Sequence, residues 1–286
     1  MSVWNNVLSD EAIPRLPTGL VNLSDRELLQ LAIRAHLHQP AIALWRATEF
    51  VMLREVAFGT PVLDLGCGSG AVAHAVLPSH QPIDGLELLR SEAKVAKARG
   101  LYRGVMRGDA TRSPALTDGY ATVFSHSVLE HIPDDRSAIR EAARVLTPGG
   151  RLVFTVPSPM FAERIRNGPG GERALQEMND RLGHFHYRSL EEWDDVLASS
   201  GLALVATRGH LPASTQRAWH RLDSLMNRRI GQRRILDVFG AIHRRELIPR
   251  RAWVAAWTAI LWLDFRRPIS DPGGYLIVAE SPARAV

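Results

Sequence analysis

Three groups of residues in the first half of the chain have the types and spacing to hold a nucleoside. Asp64-Leu-Gly-Cys-Gly-Ser-Gly70 puts an acid beside three glycines in one turn; Glu87 and then Gly108-Asp109-Ala110 follow. Glycines let the backbone turn sharply and let a ligand lie against the main chain. An acid at the place of Glu87 can take both hydroxyls of a ribose, and a carboxylate at Asp109 can accept the exocyclic amine of an adenine. A pyrophosphate favours a helix N-terminus with no carboxylate nearby. Here the glycines are spaced Gly-x-Gly-x-Gly and Asp64 adjoins them. A cationic adenosine ligand suits this better than a dinucleotide does. S-adenosylmethionine carries a sulfonium and an ammonium group and no phosphate.

The elements that must position these groups alternate in type. Strand signals fall at Pro61–Leu65, Ile83–Glu87, Gly104–Arg107, Ala121–Ser125, Arg151–Val156, Leu202–Thr207 and Tyr275–Ala279. Helices are expected at Ala71–Leu77, Ser91–Arg99, Arg136–Leu146 and Ser189–Ser200, the last opened by a Ser189/Glu192 capping box. Pro157 and Pro159 cut the fifth strand, and no regular element is read before Ser189. Upstream, a Ser24/Glu27 capping box opens a helix to about Leu37, and Pro40 starts another to Val56. Alternating strands and helices argue for a doubly wound parallel sheet with the ligand groups at strand ends. The stretch between the last two strands has helical patterning, is too long for a hairpin loop, and reads as an appended helical insert.

Leu63-Asp-Leu-Gly-Cys-Gly-Ser-Gly70, Glu87, Gly108-Asp109-Ala110, Phe124-Ser-His-Ser-Val-Leu-Glu-His-Ile132 and Arg144-Val-Leu-Thr-Pro-Gly-Gly150 resemble, in order and spacing, the motifs of class I S-adenosylmethionine-dependent methyltransferases of small-molecule type. The resemblance covers about residues 60–160, and His184–Leu204 and the last strand more loosely. It implies an α/β, doubly wound, seven-stranded Rossmann-like sheet of order 3-2-1-4-5-7-6 with strand 7 antiparallel. It also implies that Asp64, Gly66, Gly68 and Gly70 line the methionine and ribose, that Glu87 with Leu88 takes the ribose, and that Asp109 and Ala110 take the adenine. Ser125 and His126 would approach the methyl group. Glu87 stands where an aspartate is commoner, and its longer side chain can still be bidentate.

Methyl transfer is an in-line displacement, so proximity and alignment supply most of the catalysis. A base is needed where the acceptor is a hydroxyl. The candidates are His126, His184, His186 and Tyr187, the last three within Gly183-His-Phe-His-Tyr-Arg188 on the ligand-binding edge of the sheet. His131 reads as a cap of the turn after strand four. Glu130 and His131 could instead be a metal pair, but Ser127 stands where a third acid would be, so no metal is expected. Arg46 is a candidate for the cofactor carboxylate.

The chain has 286 residues, 45% of them hydrophobic, and a single cysteine, an ordinary globular composition without disulfides. Met1–Asp10 lacks the basic and apolar regions of a secretory signal, and the longest near-apolar run, Ala252–Leu263, is too short to span a bilayer. A soluble, cytoplasmic protein is expected. Apart from Lys94 and Lys97 the basic residues are all arginines, which reads as genomic composition and fits a bacterial source. From Arg208 to Arg267, thirteen arginines stand against Asp223, Asp237, Glu246 and Asp264, a net of +9 in a chain of +5. The expected division is an N-terminal helical cap (1–57), a cofactor-binding core (58–210 and 273–286) and a basic helical insert (211–272) serving as lid and acceptor-recognition element. Trp253, Trp257 and Trp262 of the insert, with Trp219, either pack against the N-terminal helices or a second copy, wall a greasy acceptor, or lie at a membrane surface.

The function expected is O-methylation of a small organic, glycosidic or lipid-like acceptor in secondary or cell-envelope metabolism. At most peripheral membrane contact and a homodimer are allowed for. A nucleic-acid methyltransferase is the alternative; however, Ser125-His-Ser-Val stands where Asn-Pro-Pro-Tyr would mark base methylation, and no nucleic-acid partner is expected. A non-catalytic S-adenosylmethionine-binding protein is the third reading.

Overall fold

The computed structural model describes residues 15–17, 19–77, 81–265 and 271–283. Met1–Asp10, read above for a signal, lies outside them, as do Arg266 and Arg267. The chain forms two compact units: Met1–Gly19 with Val56–Arg208 and Gly274–Val286, and Leu20–Glu55 with Gly209–Gly273.

The first unit is built on a seven-stranded sheet. Its strands are β3 (Val62–Leu65), β4 (Ile83–Glu87), β5 (Gly104–Arg107), β6 (Tyr120–His126), β7 (Leu146–Pro157), β8 (Ala203–His210) and β11 (Gly274–Glu280), in the order β5-β4-β3-β6-β7-β11-β8. Counted along the chain within the sheet, this is 3-2-1-4-5-7-6. β3, β4, β5, β6 and β7 pair in parallel, while β11 runs antiparallel to β7. Strands buried on both faces need side chains that are apolar throughout. β3 and β6 are buried at every position and apolar apart from Asp64 in β3 and Thr122, Ser125 and His126 in β6. Helix α5 (Asp135–Val145) buries Ala138, Ile139, Ala142 and Val145 along one stripe. These meet Trp193, Val196 and Leu197 of α8 (Leu190–Ala198) in a core shared with Leu63, Val123, Phe154 and Ile277.

Three differences from the sequence reading have local causes. Pro159 does not only end β7: with Ser158 before it, it sits in the first turn of α6 (Pro159–Arg166), where its missing N–H costs nothing. α7 (Gly171–Leu182) follows. A short antiparallel pair, β1 (Arg15–Pro17) and β2 (Ala57–Gly59), stands before and after the two N-terminal helices, where no strand was read.

The second unit is helical. It joins α1 (Asp25–Ala35) and α2 (Pro40–Leu53) to α9 (Ala213–Asn227), α10 (Ile235–Arg244) and α11 (Arg250–Phe265), with a two-residue ribbon, β9 (Arg229–Ile230) against β10 (Arg233–Arg234), within the insert. Trp45 packs edge-on against Trp219, ring centres 5.3 Å apart. Trp257 donates its indole N–H to the Leu37 carbonyl at 3.1 Å and stacks on Trp253. Trp219, Trp253 and Trp257 are thus buried; only Trp262 is half-exposed, under the Arg26 guanidinium. Most of the insert's indole surface is spent on its own core. Among the described residues no helix is long and apolar enough to cross a membrane.

Candidate functional site

The glycine turn leaves β3 in a conformation few other residues could hold. Gly66, Gly68 and Gly70 have φ of 75°, 50° and 75°, in the left-handed region. A Cβ on Gly66 would stand 2.5 Å from Val128 Cγ1, and one on Gly70 2.9 Å from the Tyr102 ring; one on Gly68 would meet nothing within 4 Å. The outer glycines are packed in place, and the middle one opens onto free space against which a ligand can lie.

Two buried carboxylates flank this turn. Glu87, ending β4, accepts the Gly68 amide at one oxygen and the Leu89 amide at the other, both at 2.8 Å. Each oxygen keeps a further lone pair, so a diol can still be received. Asp64 accepts the Tyr102 hydroxyl at 2.6 Å. Burial pushes its carboxyl up to about 7, with Tyr102 opposing and the Glu87 charge adding to the rise. The Cys67 thiol, buried in the same turn, is pushed up as well, leaving an unreactive thiol.

Asp109 is exposed at the end of β5 and caps a short 3-10 turn, Ala110–Arg112, accepting the Thr111 amide at 2.8 Å. Leu88 is 60% exposed beside Glu87. At the end of β6, Ser125 is buried with its hydroxyl unpartnered, and His126 is buried against Phe124, ring centres 6.0 Å apart. Because β3, β4, β5 and β6 are parallel, all these residues share the carboxyl edge of the sheet. Arg46 belongs to the helical unit, where it pairs with Glu49 at 2.7 Å.

A second cluster begins at Val128, the residue against Gly66. The chain continues through a 3-10 turn, Leu129–His131, carrying the buried Glu130. His131, read as a cap of its own turn, instead bonds across to the Gly183 carbonyl, Nδ1 at 3.1 Å. His184 Nδ1 lies 3.0 Å from the Tyr187 hydroxyl, which donates to Asn179 Oδ1 at 2.6 Å. Phe161 stacks on Tyr187, and the His131 and His184 rings are 5.0 Å apart. Burial pushes His184 down to about 3, so it is neutral, and pushes the Tyr187 phenol up.

His186 is not part of this group. Its Nε2 is 3.0 Å from both the Ile132 and Pro133 carbonyls, acceptors that require a hydrogen on that nitrogen, so it ties loop to loop. Arg188 grips the buried Asp135 with two bonds of 2.7 and 2.8 Å. Of the four proposed bases, the fold brings His184 and Tyr187 together, keeps His126 at the strand end and commits His186 to backbone. Tyr102, Asn179 and Phe161 were missed. Asn179 and Phe161 lie on α7 and α6, whose only advance signal was Pro159 after a serine.

The family described as "Methyltransferase domain" matches residues 63–154, the segment that carries the turn, Glu87, Asp109 and Glu130. A ubiquinone biosynthesis O-methyltransferase of Sodalis glossinidius is 33% identical over 34% of this chain and 41% of its own length. A 27-O-demethylrifamycin SV methyltransferase of Amycolatopsis mediterranei is 33% identical over 46% of this chain and 54% of its own. The chain thus spans about half the length of the curated relatives it matches. A solved structure from Galdieria sulphuraria, provisionally named a sarcosine dimethylglycine methyltransferase, shares the fold at a TM-score of 0.50, with 17% identity and 78% of each chain covered. Residues 63–154 are thus a match to a methyltransferase domain, carried on a sheet whose strand order and antiparallel last strand are those that the resemblance to class I S-adenosylmethionine-dependent methyltransferases implies.

Proposed function

We propose that this chain transfers a methyl group from S-adenosylmethionine to a hydroxyl oxygen of a small organic, glycosidic or lipid-like acceptor. The reading is carried by the close approach of Gly66 to Val128, which sets the glycine turn beside the start of the loop bearing Glu130 and His131. Two relatives named as O-methyltransferases support the choice of oxygen.

The donor fits the residues present. Gly68 opens onto free space, Glu87 retains lone pairs for a diol, the Asp64 carboxyl suits a cationic amino acid portion, and the Ser125 hydroxyl is without a partner. Gly66 and Gly70 shape the turn, Leu88 and Ala110 offer apolar contact to the nucleoside, and Asp109 faces its adenine. When bound, the donor supplies a methyl on a sulfonium; as the acceptor oxygen bonds to it the carbon–sulfur bond breaks, leaving a neutral thioether, and the hydroxyl proton passes to a base. His184, held neutral, and Tyr187 form the polar end of the acceptor surface, while His126 lies at the methyl end. The same proposal includes a cytoplasmic location, no nucleic-acid partner and no more than peripheral membrane contact.

The test is transfer of labelled methyl from S-adenosylmethionine to a panel of phenols, polyketide and sugar alcohols, amines, thiols and RNA. Alkali-stable labelled ethers formed from hydroxyl acceptors would support the reading. Label entering only amines, thiols or RNA would overturn it, as would tight cofactor binding without transfer to any acceptor.

A further inference from the structure

Helix α11 carries more apolar surface than the core of its own unit uses. Its inner positions Trp253, Val254, Trp257, Thr258, Leu261 and Phe265 are buried. The outer positions Ala252, Ala255, Ala256, Ala259, Ile260 and Leu263 recur at helical spacing and are exposed, Ile260 at 55% and Leu263 at 72%. No charge stands between Arg251 and Asp264. A helix that is apolar all round is ordinarily buried all round, so the outer face of α11 lacks the cover that its composition calls for.

The turn leading into α11 mixes apolar side chains with positive charge. Leu247 is 64% exposed and Ile248 38%, and Arg244, Arg245, Arg250 and Arg251 on either side of them are exposed as well. The ribbon repeats the pattern, with Ile230 exposed between Arg229 and Arg233. Of the four acids between Arg208 and Arg267, only Asp237 and Glu246 are exposed, and Asp237 is paired with Arg234 at 2.9 Å.

Charge decides what covers this face. Two copies of a segment carrying +9 repel, and α11 laid antiparallel on its own copy would bring Arg250 and Arg251 to the end that Arg266 and Arg267 follow. A single-stranded nucleic acid takes aromatic rings on which its bases stack. Here Trp219, Trp253 and Trp257 are buried, and Ile230, Leu247, Ile260 and Leu263 are aliphatic. An anionic bilayer answers both properties at once: aliphatic side chains enter its acyl boundary while neighbouring arginines reach the phosphates.

We propose that the outer face of α11 and the turn at residues 244–251 form a docking surface for an anionic lipid bilayer. The helix lies along the surface, since no described helix is long and apolar enough to cross it. This face stands outside residues 63–154, the segment matched to a methyltransferase domain, and the proposal does not rest on which acceptor atom is methylated.

The test is co-sedimentation of the full chain with vesicles of phosphatidylcholine, alone or with phosphatidylglycerol added. Binding to the mixed vesicles is expected, weakened by salt, with at least tenfold less on phosphatidylcholine alone. Arg245→Gln/Arg250→Gln/Arg251→Gln should lose at least tenfold, because each arginine near an anionic surface is worth about fivefold. Ile260→Ser/Leu263→Ser should also lose at least tenfold, through the apolar contact removed. Leu116→Ser, which removes a 78%-exposed leucine from the other unit, should bind as wild type. Thermal melts followed by circular dichroism should be unchanged in all three, since only exposed side chains are altered. No binding, equal binding to both kinds of vesicle, or wild-type binding by either multiple variant would overturn the proposal. Two further results would replace it. RNA retention in place of vesicle binding, lost with the arginines alone, would make this a nucleic-acid surface; a dimer dissolved by Ile260→Ser/Leu263→Ser would make it a contact between copies.

Discussion

Tyr102 donates its hydroxyl to Asp64 at 2.6 Å, joining the segment before β5 to the acid at the end of β3. One hydrogen bond does not offset the burial of that carboxyl, which stays protonated up to about pH 7. The unfolded chain releases the same proton near 3.8, so between those values the native state holds a proton that the unfolded state does not. Stability contributed at Asp64 is therefore greatest below pH 4, falls as pH rises to about 7, and is level above. Relative to Asp64→Asn, wild type should lose on the order of a few kcal/mol across that window, because each tenfold change in proton affinity is worth about 1.4 kcal/mol. Urea unfolding of both proteins at pH 4.5, 5.5, 6.5 and 7.5 measures it. A flat difference would mean that Asp64 is ionised in the free protein.

A cationic ligand placed beside Asp64 would favour its ionised form. Binding of S-adenosylmethionine below pH 7 should then release close to one proton and strengthen with rising pH until about 7. Calorimetry in buffers of different ionisation enthalpy reads the proton directly. Release that persists unchanged in Asp64→Asn would place the linkage elsewhere.

Gly66 and Gly68 should respond differently to the same small change. Gly66→Ala meets both a left-handed φ and the Val128 side chain at 2.5 Å, and should cost on the order of 2–3 kcal/mol with loss of cofactor binding. Adding Val128→Ala should restore part of that stability, since it removes the clash and leaves the backbone strain. Gly68→Ala carries the strain alone, at roughly 1 kcal/mol. Thermal melts with and without S-adenosylhomocysteine compare the three. Equal losses at the two glycines would show that Val128 is not what constrains the turn.

Glu87→Ala strips the acceptors from two amides at once, Gly68 and Leu89. Its loss in cofactor affinity should therefore exceed that of Glu87→Gln, which keeps one oxygen and a polar head, by about 1–2 kcal/mol. Calorimetric titration with S-adenosylhomocysteine decides; identical affinities would remove Glu87 from the ribose.

Excising residues 211–272 should not leave an intact remainder. Trp45 packs on Trp219, and Trp257 bonds to Leu37, so the N-terminal helices lose the partners that cover them. The shortened protein should lose more helical circular dichroism than its missing residues carry, through melting of α1 and α2. A loss limited to the insert's own helices would show that the two segments fold independently.

The motifs from Leu63 to Gly150 were enough to read the first five strands and the acids at their ends, while the strand order of the whole sheet followed only from the family that those motifs resemble. Each of those signals is local: glycines where φ must be positive, mainly apolar runs where both faces are buried, a serine and a glutamate three apart where a helix starts. Which side chains meet was not local. His184 faces His131 only because α6 and α7 return the chain to the end of β6, and both helices start at residues, Pro159 and Gly171, that read equally well as breaks. Tyr102 finds Asp64, and Trp257 finds Leu37, across stretches that carry no pairing pattern of their own. Side-chain proximity of that kind follows from how packed layers close on one another, so it belongs to the tertiary structure, whereas the glycine turn and its flanking acids are written in the order of the residues.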